Sequence, residues 1–180
     1  MTWIARLGAV LALLLSACGG EPQREIRLLS GEQYQELASS HMAAAVLERA
    51  GFEVSISRAN LGQSWQRLWA GEADASLSIW MPEASSPFVA RFFERLHDLG
   101  PNYLGPRLEE GDWPEGDRPH TLARRALERS APEALALLAA MRWQQEDLEW
   151  VLVEWQQGGD WELAAKGWLA QRQLPVLPTE

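Results

Sequence analysis

Between Ile26 and Ile79 the apolar spacing changes period twice, and no other feature of the chain restricts the fold as much. Ile26-Arg27-Leu28-Leu29 is a short apolar run, and Glu36 to Ala50 is dense in helix formers and closes at Gly51, where a C-terminal cap belongs. Phe52-Glu53-Val54-Ser55-Ile56-Ser57 then alternates apolar and polar residues with period two. This is a βαβ unit, which predicts parallel strands and a right-handed crossover. A short helix follows over Gly62 to Ala70, with Trp65 and Trp69 one turn apart and Gly71 as its stop. A third strand over Ala75 to Ile79 runs into Trp80-Met81-Pro82, and Ser86-Pro87 supplies an N-cap with proline at the first helical position for a helix through about His97.

Residues Leu99 to Pro119 hold four Gly and four Pro with little periodicity and are expected to form a connector. Beyond it the pattern predicts only helices, over His120 to Arg129, Pro132 to Met141, Gln144 to Gln157 and Trp161 to Gln171. Leu148, Val151, Leu152 and Trp155 make one apolar stripe in the third of these. Gly158-Gly159 ends it, and Asp160 is placed to cap the last. The expected layout is α/β: one lobe with a short, mostly parallel sheet flanked by helices, then a helical C-terminal segment.

The N-terminus has the three parts of an export signal: basic Arg6, the apolar run Leu7 to Leu15, and small residues at the cut. The run is too short to span a bilayer. Leu15-Ser16-Ala17-Cys18 resembles the bacterial lipobox, which implies cleavage before Cys18 and lipid on its sulfur and new amino group. An unpaired exported thiol is otherwise unexplained. The expected division is a signal over 1–17, a tether over 18–25, an α/β lobe over 26–108, a connector over 109–119, helices over 120–172 and a tail over 173–180.

Composition removes several functions. Sixteen Lys and Arg against 25 Asp and Glu give a net charge of −9, and Lys166 is the only lysine, so no broad basic face is available for nucleic acid. One cysteine excludes an intrachain disulfide and any zinc site built on two thiolates. His41, His97 and His120 are scattered, no Gly-x-Ser-x-Gly elbow is present, and His97-Asp98 with Ser85-Ser86 does not compose a triad, because adjacent helical residues face apart. We therefore expect no enzyme, no metal and no cofactor.

Open α/β sheets bind ligands beyond the carboxyl ends of their strands. Those places hold Gly31-Glu32-Gln33-Tyr34-Gln35, Asn60-Leu61-Gly62-Gln63 and Trp80-Met81-Pro82-Glu83, so Tyr34 and Trp80 are expected to converge on one rim. A ring there is either a half-buried lid on the core or a cation–π wall for a quaternary ammonium ion, whose methylated nitrogen donates no hydrogen bond. Ten Trp against two Tyr is the compositional oddity. Trp65, Trp69, Trp143, Trp150, Trp155, Trp161 and Trp168 lie on amphipathic helices and read as packing or partly exposed surface, while Trp113 falls in the connector.

Gly51-Phe52-Glu53-Val54, Leu61-Gly62-Gln63-Ser64-Trp65, Gly71 to Pro82 and Asp98-Leu99-Gly100-Pro101-Asn102-Tyr103-Leu104-Gly105 follow one another in order and spacing similar to the substrate-binding proteins of glycine betaine/choline/proline ABC importers. Met141 to Leu148 and Gly158 to Trp168 are similar to that family's closing helices. The resemblance implies a periplasmic-binding-protein-like (type II) fold, a quaternary ammonium ligand boxed by rings, and a permease and ATPase as partners at a bacterial membrane. It makes Trp80 a cage residue, with Tyr34, Gln33, Gln63 and Pro82 as ligand neighbours. The sequence departs from the family in three places. Gln33 stands where a cage Trp is expected, Ser85 stands near an expected His, and residues 109–118 replace a second lobe that ten residues cannot fold. A second reading keeps the lobe but not the ligand: a lipoprotein that docks a protein through the same aromatic edge.

Overall fold

The computed structural model describes residues 23–106 and 115–172. Cys18, Trp113 and the acidic pair Glu109-Glu110 lie outside them. A five-stranded sheet runs in the order β2-β1-β3-β5-β4. Its strands are β1 (Glu25–Ser30), β2 (Glu53–Arg58), β3 (Ala75–Met81), β4 (Leu96–Pro101) and β5 (Arg118–Arg124). Among the described residues the helices are α1 (Tyr34–Arg49), α2 (Leu61–Ala70), α3 (Ser86–Phe92), α4 (Leu127–Ser130), α5 (Pro132–Ala140), α6 (Gln145–Gly158) and α7 (Trp161–Ala170).

The βαβ half forms as its periodicity predicts: β1 pairs in parallel with β2 and with β3. Helix ends fall where capping chemistry puts them. Gly51, Gly71 and Gly159 adopt positive φ after α1, α2 and α6, and the Asp160 carboxylate accepts from Leu163 N–H at 3.0 Å to open α7.

Two segments differ from expectation, and they make the sheet mixed. The helix from Ser86 stops at Phe92, a single 3-10 turn covers Phe93–Arg95, and Leu96 begins β4. The stretch expected as a helix from His120 is β5, antiparallel to both β3 and β4. Thr121, Leu122 and Ala123 are fully buried at the middle of β5, so packing between two neighbours overrides the helix preference of Leu, Ala and Arg. The segment beyond residue 120 thus completes the same sheet before turning helical.

Apolar residues gather on both faces. Ile26, Leu28, Ala75 and Leu77 meet α1, α5, α6 and α7, whereas Leu29, Ile79 and Leu122 meet Trp65 and Leu68 of α2 and Phe92 of α3. Register shifts between Ser76 and Ile79 against β5. Simple alternation from Ala75 and Leu77 would send Ile79 to the α1 face. After the irregularity Ile79 packs on the α2 side, and Trp80 joins the α1 core.

One carboxylate ties the strand starts together. Asp74, fully buried, accepts from Arg27 N–H at 3.0 Å and from Arg27 Nε and Nη2, both at 2.9 Å, while Arg124 Nη1 lies 3.2 Å away. Burial pushes the Asp74 carboxyl up, but hydrogen bonds from the Arg27 guanidinium and backbone outweigh it and hold the group below its ordinary range. A depressed carboxyl stabilises the fold above the unfolded chain's pKa, and that contribution is lost as pH falls through the folded value. Asp74→Asn is expected to cost about 2–3 kcal/mol, below the full range for a broken buried pair because both guanidiniums reach water. Urea titrations of both proteins at neutral and acidic pH check this: the difference should shrink on acidification.

Candidate functional site

The site is built at the carboxyl ends of β1 and β3, where α1 begins. Gln33 caps α1, and Glu36, three residues on, folds back so that its Oε2 accepts from Gln33 N–H at 2.9 Å. The other carboxylate oxygen accepts from Trp80 Nε1 at 2.8 Å. Glu36 therefore pins the β1–α1 turn to the end of β3. Gly31 makes room for it, since a Cβ at that position would fall inside the carboxylate. Burial raises the Glu36 pKa, and the donors from Gln33 and Trp80 hold back part of the rise.

Trp80 is 5% exposed. Beside it lies a cavity of about 10 Å³, lined among others by Gln35, Ser39, Asn102, Tyr103 and Trp143, with room for one water molecule. Asn102 Nδ2 donates to Leu77 O at 2.8 Å and to Thr121 Oγ1 at 3.0 Å, while its buried Oδ1 accepts from no donor among the described residues. The loop after Trp80 is fastened twice. Ser85 Oγ donates to Trp80 O at 2.6 Å and accepts from Trp65 Nε1 at 3.1 Å, and the Asp117 carboxylate takes the N–H groups of Glu83 and Ala84 at 2.7 and 2.8 Å. The Met81-Pro82 bond is cis, and Pro82 is exposed.

The five sequence-chosen residues separate into different surroundings. Trp80 and Gln33 meet through Glu36, but Trp80 is a packed residue instead of an open wall, because the β3 irregularity turns it toward α1. Gln63 lies elsewhere, in the capping box of α2: Gln63 N–H donates to Asn60 Oδ1 at 2.9 Å and Asn60 N–H donates to Gln63 Oε1 at 3.1 Å. The pattern Asn-x-x-Gln before an amphipathic run carries that capping role in the sequence itself.

Tyr34 is 56% exposed and turns to the other side of α1's first turn, where its ring lies 4.8 Å from Trp155 and 6.4 Å from Trp161. Trp155 and Trp161 stack at 4.4 Å with planes 7° apart, and His41 stacks on Trp161 at 6.0 Å. Sequence reasoning gave these two tryptophans to packing or partly exposed surface, and both are half-buried. Their meeting with Tyr34 depends on the turn between α6 and α7, which no local spacing reveals. Glu36 was also missed, although Gln33-x-x-Glu36 is a capping signal.

No protein-family model matches the chain. Solved structures do. The lactococcal OpuAC in its closed-liganded conformation with glycine betaine matches with a TM-score of 0.71 at 17% identity, over 82% of this chain and 96% of that one. A glycine/betaine/L-proline-binding protein (ProX) of an ABC transporter from Borrelia burgdorferi gives 0.69 at 13% identity, over 82% and 93%. An ABC-transporter choline-binding protein in complex with choline gives 0.70 at 14%, over 83% and 89%. The chain has the periplasmic-binding-protein-like fold of these solute-binding proteins. Among the described residues no helix is long and apolar enough to cross a membrane, and no group of three His, Cys, Asp or Glu is placed to hold a metal.

The Glu36 contacts yield a test. A group whose folded pKa is raised binds protons more tightly in the folded state, so stability falls as pH rises from the unfolded carboxyl's pKa through the folded one. Glu36→Gln should flatten that part of the stability profile, and Gly31→Ala, which displaces the carboxylate, should cost about 1–3 kcal/mol at neutral pH. Thermal melts across a pH series measure both.

Proposed function

We propose that the chain is the lipid-anchored solute-binding component of an ABC importer for quaternary ammonium osmoprotectants of the glycine betaine and choline class. It works without chemistry and delivers solute to a separate permease and ATPase. The observation that carries this reading is the fold, shared over more than four-fifths of the chain with proteins solved holding glycine betaine or choline. The sequence blocks ending in Trp80-Met81-Pro82 support it, as does the lipobox ending in Cys18.

In this proposal a methylated cation meets the Trp80 indole, with Gln33 and Pro82 at the rim, while the Tyr34 phenol, packed on Trp155 and Trp161 on the other side of α1's first turn, does not reach it. Gln63 contributes only by holding α2. The cavity at Trp80 admits one water, so solute entry requires that wall to open, and the work of opening subtracts from the gain. An exposed cation–π contact contributes about 0.5–1 kcal/mol against ~2 when desolvated. With residues 109–118 in place of a second lobe, the opposing wall comes from another chain or is missing, and affinity for the isolated protein is expected in the millimolar range.

Isothermal titration calorimetry with glycine betaine and choline tests this. Saturable heat at millimolar solute, abolished in Trp80→Ala, is expected. Because Trp80→Ala empties a buried site at about 3–5 kcal/mol, its melt must first show a folded protein. Flat titrations with an intact fold would reject solute binding and favour the docking role, for which the exposed Tyr34 ring stack is the specific support.

A further inference from the structure

At the opposite edge of the sheet, the strand starts of β1, β3 and β4 lie beside the end of β5. A groove of about 430 Å³ opens there, lined by Arg95, Arg124, Arg125, Arg129 and Trp69. Four guanidiniums in one groove are conspicuous in a chain of net charge −9. The carboxylates present are Glu94 and Glu128, which lie beside Arg95 at 4.0 Å and His97 at 2.7 Å, and buried Asp74, which already serves Arg27 and Arg124. Among the described residues Arg125 and Arg129 meet no carboxylate within ion-pair distance, and both are exposed. Trp69 is 37% exposed, with the Arg95 guanidinium 4.6 Å above its ring. An indole flanked by arginines is the pairing that suits the headgroup level of a bilayer.

The tether leaves the fold at this same edge. Gln23 N–H donates to Ser130 O at 2.8 Å, and Ser130 Oγ donates to Gln23 Oε1 at 2.9 Å, one residue from Arg129. Five peptide units separate Gln23 from Cys18, and such a length of chain spans at most about 18 Å. The opposite end of the sheet carries exposed Glu32, Glu83 and Glu115 along with exposed Arg58 and Arg118, and among the described residues no groove there gathers four arginines.

We infer that the Arg95–Arg124–Arg125–Arg129 groove is a docking surface for the anionic phospholipid headgroups of the membrane that holds the lipidated Cys18. Arginine suits the task because its planar fork pairs with phosphate oxygens in bidentate fashion. Docked in this way, the lobe stands with its strand starts on the bilayer and the Trp80 rim turned away from it. The inference rests on the anchoring at Cys18 proposed above and does not need a bound solute.

The mature lipoprotein, reconstituted in vesicles of phosphatidylcholine alone or of phosphatidylcholine with phosphatidylglycerol, provides the test by hydrogen–deuterium exchange. Residues 91–95 and 124–130 are expected to exchange several-fold more slowly on the anionic vesicles. The gain should disappear at high salt and in Arg125→Gln/Arg129→Gln, two surface changes expected to leave the melting temperature unchanged. Equal exchange on both lipids, or protection of residues 81–85 in place of the groove, overturns the docking surface. The anchor has its own readout: a mature chain whose Cys18 carries no lipid mass overturns the anchoring and this orientation together. Lipid mass without protection overturns the groove alone.

Discussion

A buried indole must find an acceptor for its N–H, and the architecture is arranged around four that do. Trp80 donates to Glu36, Trp65 to Ser85, Trp143 to Ser39 and Trp168 to Asp147, at 2.7 to 3.1 Å. An orphaned buried donor costs about 1–3 kcal/mol, so each pairing fixes a side chain and the element that carries its partner. Trp143 and Trp168 also meet edge to face at 5.5 Å, which joins the start of α6 to α7 over α1. The Trp80–Glu36 pair matters most for the site. It couples the end of a central strand to the first turn of α1 through a carboxylate that also caps that helix.

The parallel half of the sheet was legible because its signals are local. Alternation over Phe52 to Ser57, the stop at Gly51 and the cap at Asp160 each act within a few residues, and each falls where the chain chemistry puts it. β4 and β5 were not legible for the opposite reason. Leu96-His97-Asp98-Leu99-Gly100-Pro101 has no alternation to betray a strand, and Thr121-Leu122-Ala123 with the arginines around it favours a helix in isolation. Only the slot between β3 and β4 makes that run extended.

The site was legible in position more than in state. The rule that ligands gather beyond strand ends points to Gln33 and Trp80, which both contact Glu36 in the structure, and the resemblance to betaine and choline binders agrees with the fold. The sequence left Trp80 open between a lid on the core and an open wall, and what decides for burial is a register shift against a strand that the sequence does not reveal. Tyr34 was foreseen as exposed at the rim, yet its ring partners come from residues more than a hundred positions away. Gln63 has a capping role that its Asn-x-x-Gln pattern already spells out.

The order of strands has a consequence for synthesis. β5 is the last strand made, yet it sits between β3 and β4. A nascent chain that has emerged only through Pro101 can pair β1 with β2 and β3, but the free side of β3 and the whole of β4 lack hydrogen-bond partners. Such open edges invite association with other chains. The same incompleteness keeps the polypeptide from locking into its final form until β5 has been made.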